Sequence, residues 1–131
     1  MQRLDPDGVY RPPRGIYSQV IRVQGRTQVH VAGTVSLDQA GQLVGEGDMG
    51  AQVRQILEHL GASLSAGGAT PADVVRINVY STDVDRYRAE GLPEVMAFFG
   101  ETRPVSTTVQ VTRLVDPRWL VEIEATAVLE E

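Results

Sequence analysis

At 131 residues the chain fits one compact domain, residues 1–131, and its 42% apolar content can supply a core and argues against disorder. All 12 basic residues are arginine, set against 17 acidic ones for a net charge of −5. With neither lysine nor cysteine, Schiff-base chemistry, a Walker phosphate loop, thiol catalysis, thiolate metal sites and disulfides are excluded. Only His30 and His59 remain, far apart in sequence, so a histidine-rich metal site is excluded too and no metal is expected. No apolar run approaches the ~20 residues that span a bilayer. The start, Met1 to Asp7, lacks the apolar stretch of a signal peptide, so the expectation is a soluble cytoplasmic protein without a membrane partner. The acidic balance and the scattered arginines weigh against a nucleic-acid partner, which needs a clustered basic surface.

Residues 1–14 are rich in Pro, Arg and Asp and read as an irregular lead-in. Ile16 to Val23 is β-prone and Gly25-Arg26-Thr27 reads as a turn. The next strand runs Gln28 to Ser36, with Val29, Val31 and Val35 on one face and Gln28, His30, Ala32 and Thr34 on the other. Gly33 inside it predicts a bulge or a close approach. Leu37 to Val44 resembles a hairpin loop with a short returning strand. Asp48 caps a helix to about Ala66, whose Val53, Ile56, Leu57, Leu60 and Leu64 form one apolar stripe that reads as core. Gly67-Gly68 ends it, and Thr70-Pro71-Ala72-Asp73 predicts a single capped turn.

A strand from Val74 to Thr82 follows, with Val75, Ile77 and Val79 on one face. The segment Val84 to Phe99 reads as a second helix with Tyr87, Val95, Phe98 and Phe99 toward the core, broken or restarted at Pro93 after Gly91. Two strands, Val105 to Leu114 and Leu120 to Val128, close the chain around an Asp116-Pro117-Arg118 turn. The order predicts an α+β domain with two helices packed on one face of a sheet.

Period two in the last strand sends Trp119, Val121, Ile123, Ala125 and Ala127 to one face and Glu122 and Glu124 to the other. Two carboxylates so spaced lie roughly 6.5–7 Å apart along a strand. They suit a solvated face, or a pocket in which one carboxylate orients a water. In the strand before, Ser106, Thr108, Gln110 and Thr112 share a phase opposite to Val105, Thr107, Val109 and Val111. A row of small hydroxyls lines a wet pocket or faces water, and residue spacing alone leaves both readings open.

These segments carry a family resemblance. Gly15-Ile16-Tyr17-Ser18-Gln19 resembles the Gly-Pro-Tyr-Ser-Gln entry of the reactive-intermediate deaminase (RidA/YjgF) family, and Val31-Ala32-Gly33 its Thr-Ser-Gly segment. The start of the first helix, Gln52 to Leu57, and the central strand, Asp73 to Tyr80, are similar to its own. So are Val111-Thr112-Arg113-Leu114 and the run Val121 to Val128. The resemblance spans about residues 14–128 in consistent order. It implies a chorismate-mutase-like fold with a mixed sheet, a homotrimer, and small-molecule clefts at the subunit interfaces. It also implies hydrolysis of enamines and imines to 2-oxo acids and ammonia with no cofactor. By position, Glu122 matches the family's water-orienting glutamate, Tyr17 and Gly33 match its pocket wall, and Ala32 stands in that wall where the family usually has a hydroxyl. Apolar surface on the uncovered sheet face is then expected to be buried by neighbouring subunits.

One departure stands out. Ser106-Thr107-Thr108 occupies the place of the family's Arg-Ser-Cys, so the arginine that clamps the substrate carboxylate is replaced by Ser106, and the cysteine by Thr108. A pocket asparagine of the family falls near Leu92. Arg103, three residues upstream of Ser106, is a candidate replacement. Three functions follow: a deaminase of altered substrate range using Glu122, with Tyr17, Ala32, Gly33, Ser106 and Thr108 as binding walls; a non-catalytic trimer that binds a small metabolite; and, disfavoured by the charge, an endoribonuclease or translation inhibitor.

Overall fold

The computed structural model describes residues 1–4, 6–8 and 15–131. Its strands are β1 (Gln2–Leu4), β2 (Val20–Arg22), β3 (Thr27–Thr34), β4 (Val74–Ser81), β5 (Val105–Gln110) and β6 (Val121–Leu129). Its helices are α1 (Met49–Ala66), α2 (Val84–Arg86) and α3 (Leu92–Phe99), the last two joined by a π-helical turn over Tyr87–Gly91. Four strands form one sheet in the order β3-β6-β4-β5. The β4–β5 pair is parallel and the other two pairs are antiparallel. The return that makes β4 and β5 parallel runs through α2 and α3, as a parallel crossover requires.

Both longer helices pack on one face of this sheet. From α1, Val53, Ile56, Leu57, Leu60 and Leu64 are buried, as the stripe predicts, and Asp48 Oδ1 accepts from the Ala51 N–H at 3.0 Å. Beneath them lie Val121, Ile123, Ala125 and Ala127 of β6 with Ile77 and Val79 of β4. Tyr87, Val95 and Phe99 complete the core, while Phe98 is half-buried and meets Phe99 edge-on. Pro93 stands in the first turn of α3, directly after the π-helical turn whose last bond runs from the Leu92 N–H to the Tyr87 carbonyl. The Thr70 to Asp73 cap and the Leu37–Leu43 bridge also form as read.

Four details depart from the sequence reading. The lead-in is not wholly irregular: Gln2–Leu4 pairs antiparallel with β2, although residues 5 and 9–14, with Arg11 and Arg14, lie outside the described residues. In β4 a register irregularity between Val74 and Arg76 puts Val74 in the core instead of Val75, because a bulge inserts one residue and flips the phase. A second irregularity, between Val31 and Thr34, is the bulge that Gly33 predicts; what departs is the phase beyond it, which pairs Thr34 with the core-facing Ile123 and takes it off the face of His30. Finally β5 ends at Gln110, four residues short of the expected Leu114.

Gln52 is a fully buried polar residue that the helix pattern did not single out. Its Nε2 donates to the carbonyls of Gly45 at 3.1 Å and Arg118 at 3.2 Å, and its Oε1 accepts from the Leu120 N–H at 2.9 Å. One side chain thereby joins α1 to two loops and to the approach of β6, satisfying groups that would otherwise be buried unpaired.

Candidate active site

The sheet has a covered face and an open face, and the candidate residues divide between them. Parallel register sets Ser106 beside Ile77 and Thr108 beside Val79, both core-facing, so Ser106, Thr108 and Gln110 point to the helix side at the edge of the layer. There a cavity of about 580 Å³ opens between β5 and the α2–α3 segment. Tyr17, Ser106, Thr108 and Leu92 line it, together with Arg103. Its remaining wall is largely apolar, with Ile77, Val95 and Phe99 from the core rim. An apolar hollow with a few convergent polar groups is the usual form of a small-molecule site.

Glu122, Ala32 and Gly33 lie elsewhere. Glu122 pairs with Tyr80 and Glu124 with Asn78, all on the open face. Gly33 abuts Glu122: a Cβ at position 33 would collide with Oε1 and come within 2.9 Å of Cδ. The absent side chain is thus the space that the carboxylate occupies, which gives the predicted close approach its physical content. Ala32 lies beside His30, Asn78 and Glu124 in a shallower hollow on the same face. Within one chain, therefore, Tyr17, Ser106 and Thr108 are gathered on one side of the sheet, and Ala32, Gly33 and Glu122 on the other.

The two carboxylates that spacing could not tell apart are in different states. Glu124 Oε1 accepts from Asn78 Nδ2 at 2.9 Å and from the Tyr80 hydroxyl at 3.0 Å. That bond and the nearby charge of Glu124 raise the Tyr80 phenol above its ordinary value, so it stays a donor. Glu122 makes no hydrogen bond to a described residue. Partial burial, and then the charge of Glu124, raise its carboxyl above the usual carboxylate value of 4.5. One carboxylate is fixed by neighbours and the other is free of partners among the described residues.

The open face is not the apolar surface that the sequence reading anticipated. It presents His30, Arg76, Asn78, Tyr80, Thr107, Glu122, Glu124 and Thr126, with Val109, 42% exposed, among the few apolar side chains. Alternation explains the outcome: the polar partners of an inward apolar set fall on this side. Asn78 and Tyr80, which fix Glu124, carry no signal in the sequence, because only cross-strand register brings them to it.

Among the described residues no group of three or more His, Asp or Glu side chains is placed to hold a metal ion, and no helix is long and apolar enough to cross a membrane. The family model described as endoribonuclease L-PSP matches residues 9–129. A RutC family protein of Pyrococcus horikoshii is 38% identical over 121 residues, 90% of each chain. Among solved structures, a protein of the conserved Rid family from Yersinia pestis, YyfB, superposes with a TM-score of 0.89 at 34% identity over 98% of each chain. A YjgF/YER057c/UK114 family member from Mycobacterium tuberculosis has a TM-score of 0.67 at 40% identity over 86% of each chain. The chain belongs to the RidA/YjgF family and has its α+β, chorismate-mutase-like fold.

Proposed function

We propose that this protein is a metal-free, cofactor-free imine or enamine hydrolase whose active site is completed by a second copy of the chain in a homotrimer. The observation that carries the reading is the free carboxylate of Glu122 against Gly33, on the face opposite the cavity that holds Tyr17, Ser106 and Thr108. A site drawing on both sets needs the open face of one subunit to meet the cavity edge of the next, and the family resemblance implies that arrangement.

The chemistry fits the residues. Water adds to the imine carbon, the C=N π pair moves to nitrogen, and nitrogen takes a proton to give a carbinolamine. The nitrogen takes a second proton, the C–N bond breaks with its electron pair leaving on ammonia, and the hydroxyl proton released as the C=O forms replaces the one consumed, leaving the 2-oxo acid. Glu122 as carboxylate accepts a hydrogen bond from the attacking water, receives its proton and returns it to nitrogen. A carboxyl raised by burial and by Glu124 is better matched to that exchange than an ordinary one.

A second reading, a trimer that binds a small metabolite without turning it over, is favoured by Ser106 in the place of the family's arginine, since a lost anchor loosens the orientation on which proximity depends. The endoribonuclease of the family description is weakly supported: each chain carries −5 with no lysine, and a trimer three times that charge.

The test generates a panel of 2-imino acids in place with an amino-acid oxidase and follows their decay with and without the protein. Acceleration over spontaneous decay, reduced about 100-fold or more in Glu122→Gln, is expected. The activity should fall on the acid side as Glu122 protonates, with its midpoint raised from that of an ordinary glutamate by partial burial and by the charge of Glu124. Equal rates for Glu122→Gln and wild type would remove Glu122 from the mechanism, and saturable binding without turnover would favour the second reading.

A further inference from the structure

The turn that leads into β5 carries Arg103 at φ 43°, the one non-glycine residue with positive φ among the described residues. Side chains other than glycine, asparagine and aspartate seldom adopt this conformation, and where it persists the surroundings hold it. Here they do. Arg3 Nε donates to the Thr102 carbonyl at 2.6 Å, the buried Ser18 hydroxyl donates to the Arg103 carbonyl, and the Ser18 N–H donates to the Pro104 carbonyl at 3.4 Å. Gly15 receives the side chain: a Cβ there would stand 3.2 Å from Arg103 Nη1 and 3.3 Å from Cδ, tighter than ordinary contact. The backbone is thus pinned and room is kept for the guanidinium.

What the guanidinium does within the chain is little. Among the described residues Arg103 Nε is buried without a partner, and no ion pair joins Arg103 to a described carboxylate. A buried donor on a charged group is unfavourable until an acceptor meets it. The group lines the cavity shared by Tyr17, Ser106 and Thr108, whose other charged residues, Asp85 and Arg88, are exposed.

We propose that Arg103 is the anion-binding residue of this cavity, and that its ligand is a small carboxylate whose apolar remainder lies toward Ile77, Val95 and Phe99. The inference rests on the cavity of the proposed function and deepens it by naming how a ligand's charge is held when position 106 is serine. A guanidinium is suited to the task because its planar fork matches a carboxylate. The hydroxyls of Ser106 and Thr108, on the same wall, add donors for the ligand's remaining oxygens.

Isothermal titration of the full chain with 4-methyl-2-oxopentanoate and with its neutral amide tests this. Wild type should bind the acid at least about tenfold more tightly than the amide, and Arg103→Asn should lose about tenfold or more of the acid affinity with the amide affinity unchanged. Asparagine tolerates the left-handed backbone, so the turn is kept while the charge is removed. Should R103N fail to fold, Arg103→Lys, which keeps a charge without the fork, must still weaken the acid selectively. Acid affinity within twofold of wild type in a folded variant, no preference of wild type for acid over amide, or no binding of either would overturn the proposal. Turnover is scored separately. Loss of imine hydrolysis with acid binding intact would sink the enzymatic reading and leave Arg103 in place, and hydrolysis unaffected by R103N would do the reverse.

Discussion

The two faces of the sheet are built from alternate residues of the same strands and obey different rules. On the covered face Val121, Ile123, Ala125 and Ala127 are apolar and buried, and any well-packed apolar set of similar volume would serve there. On the open face Glu124, Asn78 and Tyr80 are joined by hydrogen bonds of about 3 Å, and Glu122 stands free beside a glycine. The first pattern is what folding requires. The second keeps a carboxylate away from its ordinary ionisation and leaves Gly33 without a side chain, neither of which the fold needs. Function is to be sought where residues are specified beyond what packing demands.

The largest expected effect sharpens that contrast within one strand. Ile123→Ala removes buried methyl groups under α1 and should cost about 2–5 kcal/mol in a denaturant titration. Its neighbour Glu122, changed to Gln, should cost nothing at neutral pH. Were both changes equally destabilising, the open face would be as structural as the covered one and the division would fail.

Gln52 is the exception on the covered side and the next largest effect. Gln52→Leu keeps the volume but orphans the Leu120 N–H and the carbonyls of Gly45 and Arg118. Each group cut off from water costs about 1–3 kcal/mol, so a loss of roughly 2–4 kcal/mol is expected. A near-neutral result would mean that water replaces the amide and that the loops are joined less tightly than the three bonds imply.

Much of the covered face was legible in sequence because its signals are periodic. Asp48 and the stripe from Val53 to Leu64 marked α1, and period two marked the inward set of β6. Local irregularities were less so. Gly33 announced its bulge, since a missing side chain is visible in sequence, whereas the bulge near Val75 sits in a run of β-formers and left no trace. The parallel pairing of β4 and β5 is a matter of topology, and it alone decides that Ser106 faces the cavity and Thr107 does not. Likewise Arg103 is one arginine among twelve in the sequence. Its left-handed backbone and the space left by Gly15 are properties of the folded chain.

The smallest effect reads the open face through its protons. Because the Glu122 carboxyl is raised on folding, the native state holds that proton more tightly than the unfolded chain does. Its contribution to stability is therefore complete below the unfolded value near 4.5 and is lost as pH rises through the folded value. Glu122→Gln has no proton to lose, so it should melt slightly above wild type at pH 7 and lose that advantage by about pH 4. The shift is small because the group is partly solvated, on the order of one or two degrees. A variant that melts below wild type at pH 7 would mean that the ionised carboxylate has a stabilising partner, and a partner supplied by a neighbouring subunit would then be the first place to look.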